Sequence, residues 1–294
     1  MEANYRNVEL SNTDKVFFSE DDITKKDMIK YYDRISSVMI PHMKGRPLTL
    51  HRFPDGIDNE GFYQKEIPGY FPRWIDRATI EKREGGEITY VVVNDKETLI
   101  YLANQACITP HIWLSKVAEP KKPDKLVFDL DPSSKDFKLI VKAARKLKRV
   151  LEGADLDVYV MTTGSRGLHV VVPIIPEMQF DDVRNYAGKI AEAVAKESPE
   201  DFTVQHRKDK RKGRVFIDYS RNAFGQTSVA PYGIRGIAGA PVAAPLDWDE
   251  LADKGFHPRK YNMKNMFRRL GQKQDPWRNM HVKASSFMKV KSLL

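Results

Sequence analysis

Between Lys125 and Tyr219 apolar and polar segments follow one another in an order that few folds accept. Residues 125–130 read as a strand, 137–151 as a basic helix, 157–161 and 168–174 as two strands, 181–196 as a helix and 214–219 as a last strand. The order is βαββαβ. Such a split pattern folds into an antiparallel sheet with both helices on one face, an α+β arrangement that leaves the other face open for a site.

Acids fall on two of those strands. Val127-Phe128-Asp129-Leu130-Asp131-Pro132 is an apolar run ending in two carboxylates on alternate residues, and Asp218 closes Val215-Phe216-Ile217-Asp218. Side chains two apart in a strand share a face, about 7 Å apart along the chain. Taken alone, an Asp-x-Asp at a strand end more often simply meets solvent. Here the strand reads as buried, and carboxylates on a buried strand call for a counter-charge. Oxygen ligands of this kind suit Mg²⁺ or Mn²⁺.

Between the two acidic strands lies Thr162-Thr163-Gly164-Ser165-Arg166-Gly167-Leu168-His169-Val170. Its glycines permit positive φ and close backbone approach, and Ser165, Arg166 and the amides suit phosphate oxygens. By itself the segment also describes an ordinary glycine-rich hairpin, and His169 a core histidine.

Composition narrows the partners. The 294 residues carry 49 basic and 40 acidic side chains, a net charge of +9 that fits a polyanion, nucleic acid before membrane. Cys107 is the only cysteine, which excludes an internal disulfide and a cysteine zinc site and fits a reducing cytosol. No apolar run reaches the roughly 18 residues of a membrane span, and no secretory leader is visible at the N-terminus. A cytoplasmic, nucleoid-associated protein is expected.

Ahead of the βαββαβ segment, Thr24 is placed to cap a helix over 25–38 that Pro41 limits. Residues 48–53, 61–65 and 87–93 read as strands between Asp-Gly, Pro-Gly and Gly-Gly turns, and 98–105 as a short helix. Residues 246–254 and 261–270 read as closing helices, followed by a lysine-rich end expected to fray. The expected division is an N-terminal α/β module over 1–120 and a catalytic core over 121–294, together forming one compact body.

In their shared order these segments resemble one family, the archaeo-eukaryotic primase-type polymerases, and within it the polymerase domain of bacterial ligase D, the ligase of non-homologous end joining. Asp14-Lys15-Val16, Phe62-Tyr63-Gln64-Lys65, Phe128-Asp129-Leu130-Asp131-Pro132, Gly167-Leu168-His169, Ala230-Pro231-Tyr232 and Val242-Ala243-Ala244-Pro245 carry the resemblance almost end to end. It implies a primase-polymerase fold around an RRM-like sheet. It also implies that Asp129, Asp131 and Asp218 bind two divalent ions, Mn²⁺ or Mg²⁺, and perform catalysis. A primer 3′-hydroxyl would attack an incoming NTP or dNTP, ribonucleotides being favoured.

The same resemblance assigns nucleotide contacts to Phe62, Tyr63, Lys65, His111, Thr163, Ser165, Arg166, His169 and Arg235. One member of the Phe62–Tyr63 pair would stack on the base, while strand aromatics such as Phe62 also commonly fill a core. Lys15 and Lys25 match two lysines that hold a downstream 5′-phosphate; without the resemblance they read as a solvated helix face. Lys208, Arg211 and Arg214, in the basic run 206–214, are expected at the DNA backbone, a mobile charged hairpin being the plainer alternative. Arg221 departs from the family's usual glutamine. The implied partners are gapped or broken DNA, Ku and a separate ligase, no ligase signature following in this chain. A primase starting chains de novo, a non-catalytic end-bridging module and, last, a metal-dependent nuclease are the competing readings.

Overall fold

The structure, a computed structural model, describes residues 5, 7–132 and 137–293. Its first elements are β1 (Val16–Phe18), β2 (Ile23–Thr24), α1 (Lys25–Met43), β3 (Leu48–Arg52), β4 (Phe62–Gln64), β5 (Arg77–Glu81), β6 (Glu87–Val91), α2 (Lys96–Asn104) and β7 (Cys107–Trp113). There follow β8 (Lys125–Asp131), α3 (Phe137–Glu152), β9 (Tyr159–Thr162), β10 (Leu168–Pro173), α4 (Phe180–Lys196), β11 (Phe202–Thr203) and β12 (Val215–Asp218). Last come β13 (Thr227–Val229), β14 (Pro245–Leu246) and α5 (Met266–Gln272). They group into two compact units. One comprises Met1–Trp113, Thr227–Ala243 and Tyr261–Gln272; the other comprises Leu114–Gln226, Ala244–Lys260 and Lys273–Leu294.

In the first unit α1 begins at a capping box: Thr24 accepts from the Asp27 amide at 3.2 Å, and Asp27 accepts from the Thr24 amide at 3.0 Å. The helix runs past Pro41 to Met43 instead of stopping before it. Pro41 costs one backbone bond near the helix end, and the buried Met39, His42 and Met43 hold the last turn by packing. A four-stranded sheet of order β13-β7-β3-β4 carries Phe62, Tyr63 and His111. β7 is not legible as a strand in the sequence, because Pro110 lies in its middle. Pro110 stays paired with Leu50 on β3, and on the other side it sits just past the last β13 pair, Val229↔His111, where its carbonyl still accepts from the Ala230 amide at 3.0 Å and only its missing amide goes unused.

The second unit holds the βαββαβ segment. Its six-stranded sheet has the order β11-β12-β8-β10-β9-β14, antiparallel except for β11 with β12. Both helices pack on one face: α3 meets β8, β10, β12 and α4, and α4 meets β8 and β12. Leu126, Phe128 and Leu130 of β8 are fully buried. Their alternates Val127, Asp129 and Asp131 therefore point to the opposite face. The expected helix over 246–254 is instead a 3₁₀ turn, Trp248–Ala252, closed by its own Asp247–Glu250 capping box. The lysine-rich end does not fray throughout: Phe287 and Val290 are fully buried. No helix among the described residues is long and apolar enough to cross a membrane.

Candidate active site

The acid face of the second unit is set by strand register. Asp129 lies directly opposite Asp218 on β12 and opposite His169 on β10, while Asp131 lies opposite Phe216. Directly opposed residues share a face with Cβ atoms about 5 Å apart, so β8 brings both of its acids beside Asp218. His169 Nε2 is 3.5 Å and Arg221 Nε 3.4 Å from the Asp129 carboxylate. Burial opposes ionisation of Asp129, yet His169 and then Arg221 outweigh it and hold the carboxyl below the usual range. Asp131 behaves oppositely. Burial, then the Asp129 charge, raise its pKa against the pull of Arg166 and Arg211, with Asp218 adding to the rise. One oxygen of Asp218 is held by the Ser220 amide at 2.7 Å and the Ser220 hydroxyl at 2.5 Å.

Asn222 was not singled out in the sequence, and it fixes this register. Beyond Asp218, β12 leaves the ladder, and the buried Asn222 carboxamide takes the place of the next peptide. Its Oδ1 accepts from the Val127 amide at 2.9 Å, and its Nδ2 donates to the Val127 carbonyl at 2.7 Å and to the Tyr219 carbonyl at 2.8 Å. Asn222→Ala would leave both polar groups of Val127 buried and unpaired, at about 1–3 kcal/mol each. A fall in unfolding free energy of at least about 2 kcal/mol is expected in urea titration, and a wild-type midpoint would refute this account.

The turn after β9 is tied closely to β8. Thr163 Oγ1 accepts from the Ser165 and Gly167 amides at 3.3 and 3.2 Å and lies 3.2 Å from the Gly167 carbonyl, so the hydroxyl is engaged within the turn. Gly164 adopts φ +65°. Gly167 crosses so near β8 that a Cβ built there would lie 2.0 Å from the Leu130 carbonyl oxygen. Arg166 is exposed. Arg259, which carries no local motif, donates to the Ser165 carbonyl at 3.1 Å and places a further guanidinium at the turn.

The basic run 206–214 folds on itself. Arg211 is buried, donates to the Gln205 and His206 carbonyls at 3.1 and 3.0 Å, and stacks 4.0 Å above Phe216. Arg214 donates to the Arg211, Pro199 and Lys210 carbonyls. Both arginines thus hold the loop's own backbone, and Lys208 is exposed.

In the first unit, register separates the two aromatics of β4. Phe62 faces Arg52, whose guanidinium lies 5.5 Å from its ring, whereas Tyr63 shares a face with His51 and His111. The Tyr63 and His51 rings are stacked, 4.0 Å apart and 11° from parallel, and Tyr63 is 59% exposed. His51 is a second residue the sequence reading missed, since an isolated histidine on a strand carries no motif. Burial, then the nearby Arg235 charge, pull its pKa down to about 4, so the ring behind Tyr63 is neutral. Lys65 is exposed just past β4.

The loop carrying Arg235 is clamped by two tyrosines of α1. Tyr31 donates to the Tyr232 carbonyl at 2.8 Å; Tyr32 donates to the Ile108 carbonyl at 2.5 Å and accepts from the Ile234 amide at 3.1 Å. That clamp holds Tyr232 at φ +67°, a conformation an aromatic residue rarely adopts. Lys15 and Lys25 lie beside each other, the Lys25 amide donating to the Lys15 carbonyl at 2.8 Å. Lys15 Nζ meets Asp55 at 2.5 Å and Lys25 Nζ meets the Ser11 carbonyl at 2.5 Å. Burial, then the Lys15 charge, lower the Lys25 pKa to about 8.

Among the described residues no three His, Cys, Asp or Glu side chains are placed to hold a metal ion by themselves, Asp129, Asp131 and Asp218 included. The donors nevertheless suit a hard divalent ion. They are carboxylate oxygens, and Asp131 is raised by burial first and then by the charge of Asp129, with Asp218 adding a little, a repulsion that a cation relieves. Mg²⁺ is commonly bound by one or two carboxylates plus substrate phosphates, without a dedicated protein cage.

An antiparallel sheet with the inner order β12-β8-β10-β9, helices on one face and paired acids beside a glycine-containing turn on the other, is the arrangement of the primase-polymerase class. A family model described as "LigD, primase-polymerase domain" matches residues 24–277, and the chain belongs to that family. It is 34% identical over 252 residues to the multifunctional non-homologous end joining protein LigD of Mycolicibacterium smegmatis, covering 85% of this chain and 33% of that protein. The bifunctional non-homologous end joining protein LigD of Bacillus subtilis is 32% identical over 246 residues, covering 83% and 39%. The chain thus spans about a third of the length of these curated relatives. A solved structure of the polymerase domain from Mycobacterium tuberculosis ligase D in complex with DNA superposes with a TM-score of 0.90 at 31% identity, covering 95% of this chain and all of that one.

Proposed function

We propose that this chain is the gap-filling polymerase of a DNA-end-joining system, extending a primer 3′-hydroxyl at breaks and gaps with ribonucleotides in preference to deoxyribonucleotides. The observation that carries this reading is the register that sets Asp129 against Asp218, with Asp131 on the same face and the 163–167 turn alongside. Two bound Mn²⁺ or Mg²⁺ ions would supply charge neutralisation on the triphosphate and activation of the primer hydroxyl. Asp129, Asp131 and Asp218 would hold them. Around that centre, Ser165, Arg166 and the backbone amides of the turn bind phosphate oxygens, and His169 keeps Asp129 ionised.

Tyr63, backed by His51, presents a ring to the nucleotide base. Such stacking tolerates every base and contributes about 1–3 kcal/mol. Phe62 faces the other way and supports β4, while Lys65, His111 and Arg235 contribute further nucleotide contacts. Thr163 acts by shaping the turn. Lys208 meets the DNA backbone, and Arg211 and Arg214 act by holding the loop that presents it. The partners in this reading are gapped or broken DNA, Ku and a ligase, in a cytoplasmic, nucleoid-associated setting.

Lys15 and Lys25 would bind the 5′-phosphate downstream of the gap, since a terminal phosphate carries more charge than an internal diester. Extension of a gapped duplex with and without that phosphate, comparing NTP with dNTP and Mn²⁺ with Mg²⁺, tests the reading. Stimulation by the phosphate, lost in a Lys15→Ala, Lys25→Ala double variant, is expected. De novo synthesis on unprimed strands without a phosphate effect would instead favour a primase. A charged Lys25 binds phosphate, and it discharges as pH rises through about 8. The phosphate stimulation should therefore weaken from pH 7 to pH 9 in the wild type, and a stimulation constant over that range would remove Lys25 from the contact.

A further inference from the structure

One helix of the catalytic unit is charged far more one-sidedly than its neighbour. α3 carries six basic residues and a single acid, Glu152, whereas α4, packed on the same face of the sheet, carries three of each sign. Lys138, Lys142, Arg145, Lys146 and Arg149 fall at the i, i+4, i+7, i+8 and i+11 positions of α3 and line one shallow groove of about 400 Å³. At 1.5 Å per residue the stripe is about 16 Å long, the axial rise of about five base pairs.

Lys142 and Lys146 are tied to the segment that follows α4: Lys142 to Asp201 at 2.5 Å, and Lys146 to Glu197 at 2.8 Å and the Ser198 hydroxyl at 3.1 Å. Lys138, Arg145 and Arg149 are exposed. The opposite side of α3, Ile140, Ala143, Ala144, Leu147 and Leu151, is buried against the sheet. The helix and the sheet therefore stand between the stripe and Asp129. A polyanion on the stripe cannot be the primer terminus or the nucleotide at the acids.

We propose that this α3 stripe is a second nucleic-acid surface, which holds the phosphate backbone of duplex DNA remote from the reacting end. The inference rests on the DNA-polymerase reading for its choice of polyanion. Charge complementarity without hydrogen-bond readout gives binding that is sequence-independent and steeply salt-dependent. The surface would hold the arm of a broken duplex while its terminus stays mobile enough to be processed.

The test is a Lys138→Glu, Arg145→Glu, Arg149→Glu variant, which spares Lys142 and Lys146 and their ion pairs with Asp201 and Glu197. Glutamate is a good helix former, and a matching glutamine variant with unchanged circular dichroism separates charge from folding. Gapped duplexes with arms of about one helical turn, ~10 bp, are compared with arms of about four turns. Affinity for the long arms should fall at least tenfold, and the slope of log K against log salt should lessen by up to about 2.7, or 0.9 for each of three lost phosphate contacts. Binding and extension on short arms should be unchanged. Wild-type affinity for long arms would overturn the proposal. So would equal losses on both lengths, or a stripe-dependent affinity for poly-glutamate in place of duplex. A loss confined to long arms in a protein whose wild type extends no primer would uphold the surface and remove the polymerase reading alone.

Discussion

Primer extension by an Asp129→Ala variant is expected to fall at least about a thousandfold, with DNA binding retained. Asp129 is buried between His169 and Arg221 and faces Asp218 across the ladder, so no neighbouring carboxylate can move into its place. Metal-assisted charge neutralisation contributes several kcal/mol to a phosphoryl-transfer barrier, and about 4 kcal/mol corresponds to three decades of rate. Asp218→Ala should behave alike. Asp129→Asn keeps the side-chain shape and removes only charge; it should match Asp129→Ala in extension while preserving the melting profile. Extension at wild-type rates in either alanine variant would remove the acids from the mechanism.

Gly167→Ala should be the most damaging of the glycine-to-alanine changes among the described residues. Its Cβ would sit 2.0 Å from the carbonyl of Leu130, the residue between Asp129 and Asp131, where contact is backbone against backbone and no side chain can swing aside. Either the turn lifts from β8 or β8 shifts with both acids on it. Overpacking of this kind costs about 1–3 kcal/mol, roughly 2–10 °C in melting temperature for a unit of this size. A shift of about 1 Å at reacting groups costs up to a hundredfold in rate. Gly271→Ala supplies the control, because nothing lies within 4 Å of its Cβ and it is in a helix. That variant should be neutral or slightly stabilising. Wild-type melting and extension in Gly167→Ala would mean the approach to Leu130 is not kept in solution.

Sequence and structure divide unevenly between the two units. The βαββαβ order was legible because each segment announces its own period, and the helix and strand boundaries fall within two residues of the pattern. The Thr24 cap was legible for the same local reason. Pro110 concealed β7, since proline in a strand centre is usually excluded and only the end of β13 beside it makes it acceptable. Residues 227–243 and 261–272 return to the first unit, and no local signal reports that, because it depends on which faces they cover.

The acids Asp129, Asp131 and Asp218 could be named from alternation along single strands. Their mutual placement could not, because register is a property of paired strands, and here it is pinned by Asn222, whose carboxamide imitates a peptide of β12. Likewise the sequence supplied Phe62 and Tyr63 as an undivided pair, and pairing with β3 turned one toward Arg52 and the other toward His51 and His111. What the sequence by itself determined was therefore the period of each element, the chemistry each carries and the family to which the motif order belongs. Tertiary structure alone decided which carboxylates oppose one another, which arginines are consumed in holding loops, and which face of α3 stays basic and exposed. Those are outcomes of long-range packing and hydrogen bonding, and residues such as Val127 and Asn222, 95 positions apart, meet only once the chain has folded.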